Sequence, residues 1–148
     1  MLKRQSPSAA RSLNGLSVVV VEDETIIAMQ LEDMLEDAGC RIVATAMRLR
    51  QAMALLDEDK AAGAAVLDVN LGDATVFPFA EGLQAAGIPI VFATGYGTAG
   101  VPDEWRRYPI LQKPYTSAQI EAALLRVVFD ERREDAGQVA AIRADRAD

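Results

Sequence analysis

The sequence predicts an α/β protein built on one parallel β-sheet with helices on both faces. Three observations lead there. Short apolar, β-branched runs alternate along the chain with segments whose apolar residues recur at helical spacing. That alternation imposes parallel pairing through right-handed crossovers. The strand-like runs are nearly continuous in apolar residues, as strands buried on both faces are. Five such units fit a doubly wound sheet of order 2-1-3-4-5.

The first strand is LSVVVVE, residues 16–22. A helix follows over 25–39, with Ile27, Leu31, Met34, Leu35 and Ala38 on one stripe and Gly39 as its stop. CRIVATA (40–46) reads as the second strand. The second helix spans 49–59, with Leu49, Met53 and Leu56 aligned. AAVLDVN (64–70) is the third strand, and a weaker helix over 76–87 is interrupted by Pro78 and Gly82. IPIVFATG (88–95) is the fourth strand. Residues 95–109 hold three glycines and two prolines, so any fourth helix is short or irregular. ILQKP (110–114) is the fifth strand. The last helix covers 116–129, opened by a Thr116/Gln119 capping box, with Ile120, Leu124, Val127 and Val128 as its stripe.

A chain of 148 residues suits one domain of this kind. It divides into a flexible basic tail (1–15), the α/β domain (16–129) and a charged C-terminal extension (130–148). The extension's apolar stripe, Val139 and Ile142, is thin, so a solvated tail is expected and at most a weak dimer. The net charge of −7 argues against a nucleic-acid footprint and a polybasic membrane anchor. No apolar run reaches the roughly 20 residues of a membrane helix. Cys40 is the single cysteine and histidine is absent, which excludes a Cys/His zinc site and histidine-dependent triads. A reducing cytoplasm is the expected compartment.

The carboxylates fall where such folds place their chemistry, beyond the carboxyl ends of the strands. Strand one ends in Glu22-Asp23-Glu24 and strand three in Asp68. In the order 2-1-3-4-5 these strands are neighbours, so their acids converge. Clustered carboxylates resist ionising together, and a divalent cation relieves that cost. Oxygen ligands suit Mg²⁺, which favours a partner phosphate. Strand four ends in Thr94 and strand five in Lys113. A hydroxyl and an ammonium are what a phosphoryl group on Asp68 requires. Each feature also has a plainer explanation. First-turn acids favour a helix dipole, Asp68 suits a turn, Thr94 suits a strand, and a single lysine is usually solvated. The argument rests on their appearing together, in chain order, at four strand ends.

This layout resembles the receiver domain of two-component response regulators over roughly residues 16–129. The resemblance implies a flavodoxin-like sheet. It implies Glu22 and Asp23 as the metal-binding acid pair, Asp68 as phosphoacceptor, Thr94 as switch hydroxyl and Lys113 as the family's lysine. Asn70 matches the position whose backbone carbonyl reaches the metal. The strings VFATGYG (91–97) and LQKPY (111–115) resemble the FAT GUY subclass, which lacks a well-formed fourth helix. The chain departs from the common pattern at three places. Glu22 replaces the usual first aspartate, Leu71-Gly72 replaces a Met-Pro pair, and Ile110 stands where many receivers carry a switch aromatic.

By that resemblance Asp68 accepts a phosphoryl group from a histidine kinase or phosphotransfer protein, with Mg²⁺ held by Glu22, Asp23 and Asp68. Lys113 stabilises the transferred charge, Thr94 moves to bond it, and residues 95–109 respond. Asn70 and Tyr96 flank the phosphate and tune its hydrolysis. Output is expected through contact with a downstream protein, not through nucleic acid. The main alternative is a receiver fold that binds its partner without phosphate. A metal-dependent phosphatase is a weaker reading, because Asn70 stands where such enzymes carry a second acid. Trp105 is read as a packing anchor in the 95–109 segment.

Overall fold

A computed structural model describes residues 1–7, 11–72 and 74–130. The expectation for 130–148 therefore lies, beyond the backbone of Asp130, outside the described residues.

The main sheet has five parallel strands: β2 (Ser17–Val21), β3 (Arg41–Ala46), β5 (Ala64–Asp68), β6 (Ile90–Thr94) and β7 (Ile110–Gln112). Their spatial order is β3-β2-β5-β6-β7. Counted along the chain within this sheet, that is 2-1-3-4-5. The helices are α1 (Thr25–Asp37), α2 (Leu49–Leu55), α3 (Phe77–Ala85) and α4 (Ser117–Leu125), the last followed by a π turn over Arg126–Asp130.

Alternation along the strands divides the core. Val19, Val21, Ala65, Leu67, Ile90 and Phe92 face one layer, shared with Ala52 of α2 and Phe79 and Leu83 of α3. Val18, Val20, Val66 and Val91 face the other, against Leu31 and Leu35 of α1 and Ile120 and Leu124 of α4. Burial on both faces explains why these strands are continuous apolar runs rather than alternating ones.

The helices follow their stripes with one exception. In α2 the fully buried residue is Ala52, while Met53 is 36% exposed. The helix ends early, at Leu55, and Leu56 packs from the turn beyond it. Gly82 of α3 receives Leu56, and a Cβ there would run into its methyl groups. Gly82 is thus a seat for a side chain rather than a break. Pro78 lies in the first turn of α3, where a missing N–H costs nothing. The capping box at α4 is present in both directions, with Gln119 N donating to Thr116 Oγ1 at 3.1 Å and Thr116 N to Gln119 Oε1 at 2.8 Å.

The N-terminal stretch departs from the expected flexible tail. Lys3–Arg4 forms β1, which pairs in parallel with β4 (Ala61–Ala62) as a separate two-stranded sheet. Leu2 is 4% exposed within the layer that holds Ala62 and Ala65. Gln5 accepts from Ser17 N at 2.5 Å and donates to Gly15 O at 2.8 Å, tying this segment to the start of β2. Leu13 is buried as well. Two isolated leucines in a Ser/Ala-rich stretch produce no periodicity, so their burial left no sequence signal.

Between β6 and β7 the chain makes two short 3₁₀ turns, Gly97–Gly100 and Asp103–Trp105. Aromatic packing fills the space beside them. Trp105 lies 5.8 Å from both Phe77 and Phe92 and 5.7 Å from Tyr108, ring centroid to centroid. This bears out the packing role read for Trp105.

Candidate functional site

Parallel strands bring their carboxyl ends to one edge of the sheet, and four of those ends build the site. Glu22 follows β2, Asp68 ends β5, Thr94 ends β6 and Lys113 follows β7. Glu22, Asp68 and Thr94 are buried at 2%, 6% and 0% exposure. Three buried polar residues side by side need partners, because an uncompensated charge or hydroxyl costs several kcal/mol.

Lys113 supplies most of that compensation. Its Nζ lies 2.6 Å from Glu22 Oε1 and 3.2 Å from Asp68 Oδ2. Its backbone N donates to Thr94 O at 2.9 Å, so the strand pairing itself sets the lysine's position. The other oxygen of Glu22 accepts from Glu24 N at 3.1 Å. Asn70 N approaches Asp68 Oδ1 at 3.4 Å, a long contact. The Asn70 side chain is exposed on the turn after β5, which a bridge to Thr75 closes.

Glu22, Asp23 and Asp68 each turn one oxygen into a cluster whose members all lie within 4.8 Å of one another. Metal–oxygen bonds of about 2.0–2.1 Å set oxygens of one Mg²⁺ shell about 3–4 Å apart, so three carboxylates gathered this closely suit a hard divalent cation once their side chains draw in on it. The longer arm of Glu22 does not take it out of the cluster.

Burial raises the Asp68 carboxyl to about 7, helped by the charge of Glu22 and opposed by Lys113. Hydrogen bonding with Glu22 and Asp23 adds to the rise. For Lys113, burial works against the charge, but the Glu22 hydrogen bond and the charges of Asp68 and Glu22 outweigh it and leave the ammonium above its ordinary value. Lys113 is therefore charged throughout the neutral range. Tyr115, two residues on, is pushed up to about 12 by burial and then by Glu22.

Thr94 is engaged on the loop side. Its Oγ1 accepts from Tyr96 N at 3.1 Å. A Cβ built at Gly100 would stand 3.1 Å from Thr94 Oγ1 and 3.3 Å from Tyr96 Cβ, so the Gly97–Gly100 turn presses closely on the hydroxyl. The Tyr96 side chain is 72% exposed and Tyr108 is buried, its hydroxyl accepting from Gln84 Nε2 at 3.0 Å. Ile110, at the usual aromatic position, is a partly buried core residue of β7.

All the sequence-predicted site residues therefore stand on one edge. Lys113 bridges Glu22 and Asp68, Asp23 joins those two in the carboxylate cluster, Thr94 ends the neighbouring strand, and Asn70 and Tyr96 are exposed at the rim. Sequence reasoning missed Gly100, whose close approach to Thr94 and Tyr96 depends on how the turn between them folds.

An open sheet of this order, with three acids, a hydroxyl and a lysine on its carboxyl edge, defines a receiver-type signalling module. The response regulator receiver domain family matches residues 18–125, and the chain belongs to it. The chain is 28% identical over 121 residues to the phyllosphere-induced regulator PhyR of Methylorubrum extorquens, covering 76% of this chain and 43% of that protein. It thus spans less than half of that curated relative. Solution structures of SdrG from Sphingomonas melonis Fr1 (42% identity, 75% of this chain, 97% of that one, TM-score 0.65) and of the Erythrobacter litoralis PhyR receiver domain (26%, 78%, 92%, TM-score 0.69) share the fold. A BeF₃-activated SdrG structure is similar to the same degree, at 42% identity over 77% of this chain and 98% of that one, with a TM-score of 0.64.

Proposed function

We propose that this receiver is a phosphoryl-accepting switch of a two-component phosphorelay, with Asp68 as acceptor. The observation that carries the reading is the bridge of Lys113 Nζ to Glu22 and Asp68 beside the three-carboxylate cluster. The donor is a phosphohistidine on a histidine kinase or phosphotransfer protein. An Asp68 oxygen attacks phosphorus in line. The P–N bond breaks, its electron pair stays on the imidazole nitrogen, and that nitrogen takes up a proton.

Glu22, Asp23 and Asp68, with the Asn70 carbonyl, are the residues to hold Mg²⁺, which when bound neutralises charge on the phosphoryl oxygens. Lys113 gives one of its two carboxylate contacts to the phosphoryl group. Thr94 exchanges its bond from Tyr96 N for a bond to a phosphoryl oxygen. Because the Gly97–Gly100 turn rests on Thr94, that exchange displaces the turn without the missing aromatic at position 110. Asn70 and Tyr96 stand at the rim, where they govern the access of water. The beryllofluoride-activated form of SdrG supports the reading, since this fluoride mimics an acyl phosphate.

Signalling is by contact with a downstream protein, in the cytoplasm, with the chain a monomer or weak dimer. Ile26 and Met29, 71% and 58% exposed on α1, offer apolar surface for such contact. On the same helix, Ile27, Leu31 and Met34 line a cavity of about 270 Å³ with Pro114 and Tyr115.

Intact-mass spectrometry after incubation with Mg²⁺ and acetyl phosphate tests the proposal. One added phosphoryl group is expected on the wild type, lost on chelation and absent from Asp68→Ala. If acetyl phosphate and beryllofluoride both leave the wild type unmodified and its Trp105 fluorescence unchanged, a phosphate-independent binding module replaces the switch.

A further inference from the structure

The first 3₁₀ turn after β6 has glycine at both ends, Gly97 and Gly100. The two are glycine for different reasons. Gly97 has φ +60°, a left-handed conformation that side chains resist. Gly100 is not among the positive-φ glycines, so its backbone suits alanine. What excludes a side chain there is space. A Cβ would stand 3.1 Å from Thr94 Oγ1 and 3.3 Å from Tyr96 Cβ, closer than the roughly 3.5–4.0 Å of unforced contact.

The surroundings decide which group would yield. Just past Gly100 the chain is fixed. Val101 is 1% exposed in the core layer of Phe92 and Trp105, and its carbonyl accepts from Arg106 Nε at 2.8 Å. The Thr94 backbone is fixed as well, because its O accepts from Lys113 N at 2.9 Å. Two groups are free to shift. The Thr94 hydroxyl leaves by rotation about χ1, and the exposed Tyr96 moves outward. Either movement strains the 3.1 Å bond from Tyr96 N to Thr94 Oγ1. A filled position 100 therefore opposes the loop-side seat of the hydroxyl, and an empty one permits it.

We propose that Gly100 is a positioning residue for the switch: by offering no side chain, it seats the Thr94 hydroxyl on Tyr96 N and keeps the unphosphorylated arrangement the resting one. This rests on the phosphoryl-acceptor reading and deepens it. Thr94 bonds the phosphoryl oxygen, and Gly100 acts only through Thr94. A side chain at position 100 raises the free energy of the resting arrangement. The phosphoryl-bonded arrangement, whose hydroxyl has left the turn, then gains population before any phosphate arrives.

The test is the half-saturating concentration of beryllofluoride at saturating Mg²⁺, read by Trp105 fluorescence. Wild type, Gly100→Ala, Thr94→Ala and the double variant are compared. Gly100→Ala is expected to lower that concentration about five- to tenfold, the lower end of what a forced contact costs. In the Thr94→Ala background the same substitution changes it less than twofold, which a general effect on the turn would not produce. Ala99→Gly, an exposed position in the same turn, stays within twofold of wild type. A second readout needs no ligand. In NMR spectra of Gly100→Ala, the Tyr96 amide proton moves upfield, toward its position in beryllofluoride-saturated wild type. Equal half-saturation in wild type and Gly100→Ala, weaker binding by Gly100→Ala, or the same gain without the Thr94 hydroxyl overturns the assignment and leaves the acceptor reading intact. Failure of the wild type to bind beryllofluoride overturns both.

Discussion

Asp68 carries the strongest electrostatic cost at the site, and that cost has a definite pH dependence. Its folded carboxyl is raised to about 7 from an ordinary 3.8, chiefly by burial and next by Glu22. The folded state therefore keeps a proton that the unfolded state gives up. Stability from this group is full below the unfolded value and is lost as pH rises toward and through 7. The chain has no histidine, so no other side chain of ordinary pKa titrates near neutrality. Without added metal, Asp68→Asn is expected to be more stable than wild type at pH 8 by on the order of 2 kcal/mol. The advantage shrinks as pH falls through 7 and is nearly gone at pH 4. Urea unfolding of both proteins across that range measures it, and parallel pH profiles would contradict the assignment. Mg²⁺ narrows the gap at pH 8, because a cation on the cluster favours the ionised carboxylates.

At the scale of elements, the five strands of the main sheet and the four α-helices are legible because two-sided burial and helical stripes write themselves into the residue pattern. Val18–Val21 and Ile90–Ala93 need no other signal. The α2 face is less legible. Its seven residues are too few for a stripe to decide between Ala52 and Met53, and the packing of Leu56 on Gly82 decides instead. The N-terminal strand is illegible for a different reason. Its anchoring depends on one leucine and one glutamine meeting partners more than ten positions away. Leu2→Ala is expected to destabilise the protein by about 2–3 kcal/mol, as for a buried leucine. The phosphorylated fraction under acetyl phosphate stays unchanged, because β1 lies at the opposite end of β5 from Asp68. Denaturant midpoints test the first statement and intact mass the second. A midpoint equal to wild type would restore the free-tail reading of residues 1–15.

Across the whole molecule, topology turns sequence order into chemistry. Glu22, Asp68, Thr94 and Lys113 are separated by tens of residues, yet each marks the end of a strand in one parallel sheet. Their convergence was legible because a parallel sheet places every strand end on one edge. Distances were not legible. Whether Lys113 reaches both carboxylates and how near the Gly97–Gly100 turn comes to Thr94 depend on loop conformations. A loop residue such as Gly100 carries no periodic signal. The irregular stretch between β6 and β7 was legible only as a lack of helix. Its filling by Trp105, Phe77, Phe92 and Tyr108 is a property of the assembled core.

The central claim is that Asp68 is the atom-level acceptor, and borohydride trapping tests it most directly. An aspartyl phosphate is an acyl phosphate, which borohydride reduces to an alcohol, so the modified residue becomes homoserine. After reaction with acetyl phosphate and Mg²⁺, reduction and peptide mass mapping should find homoserine at position 68 and nowhere else. Homoserine at Asp23, or an unreduced chain despite a phosphoryl-sized mass increase, would contradict it.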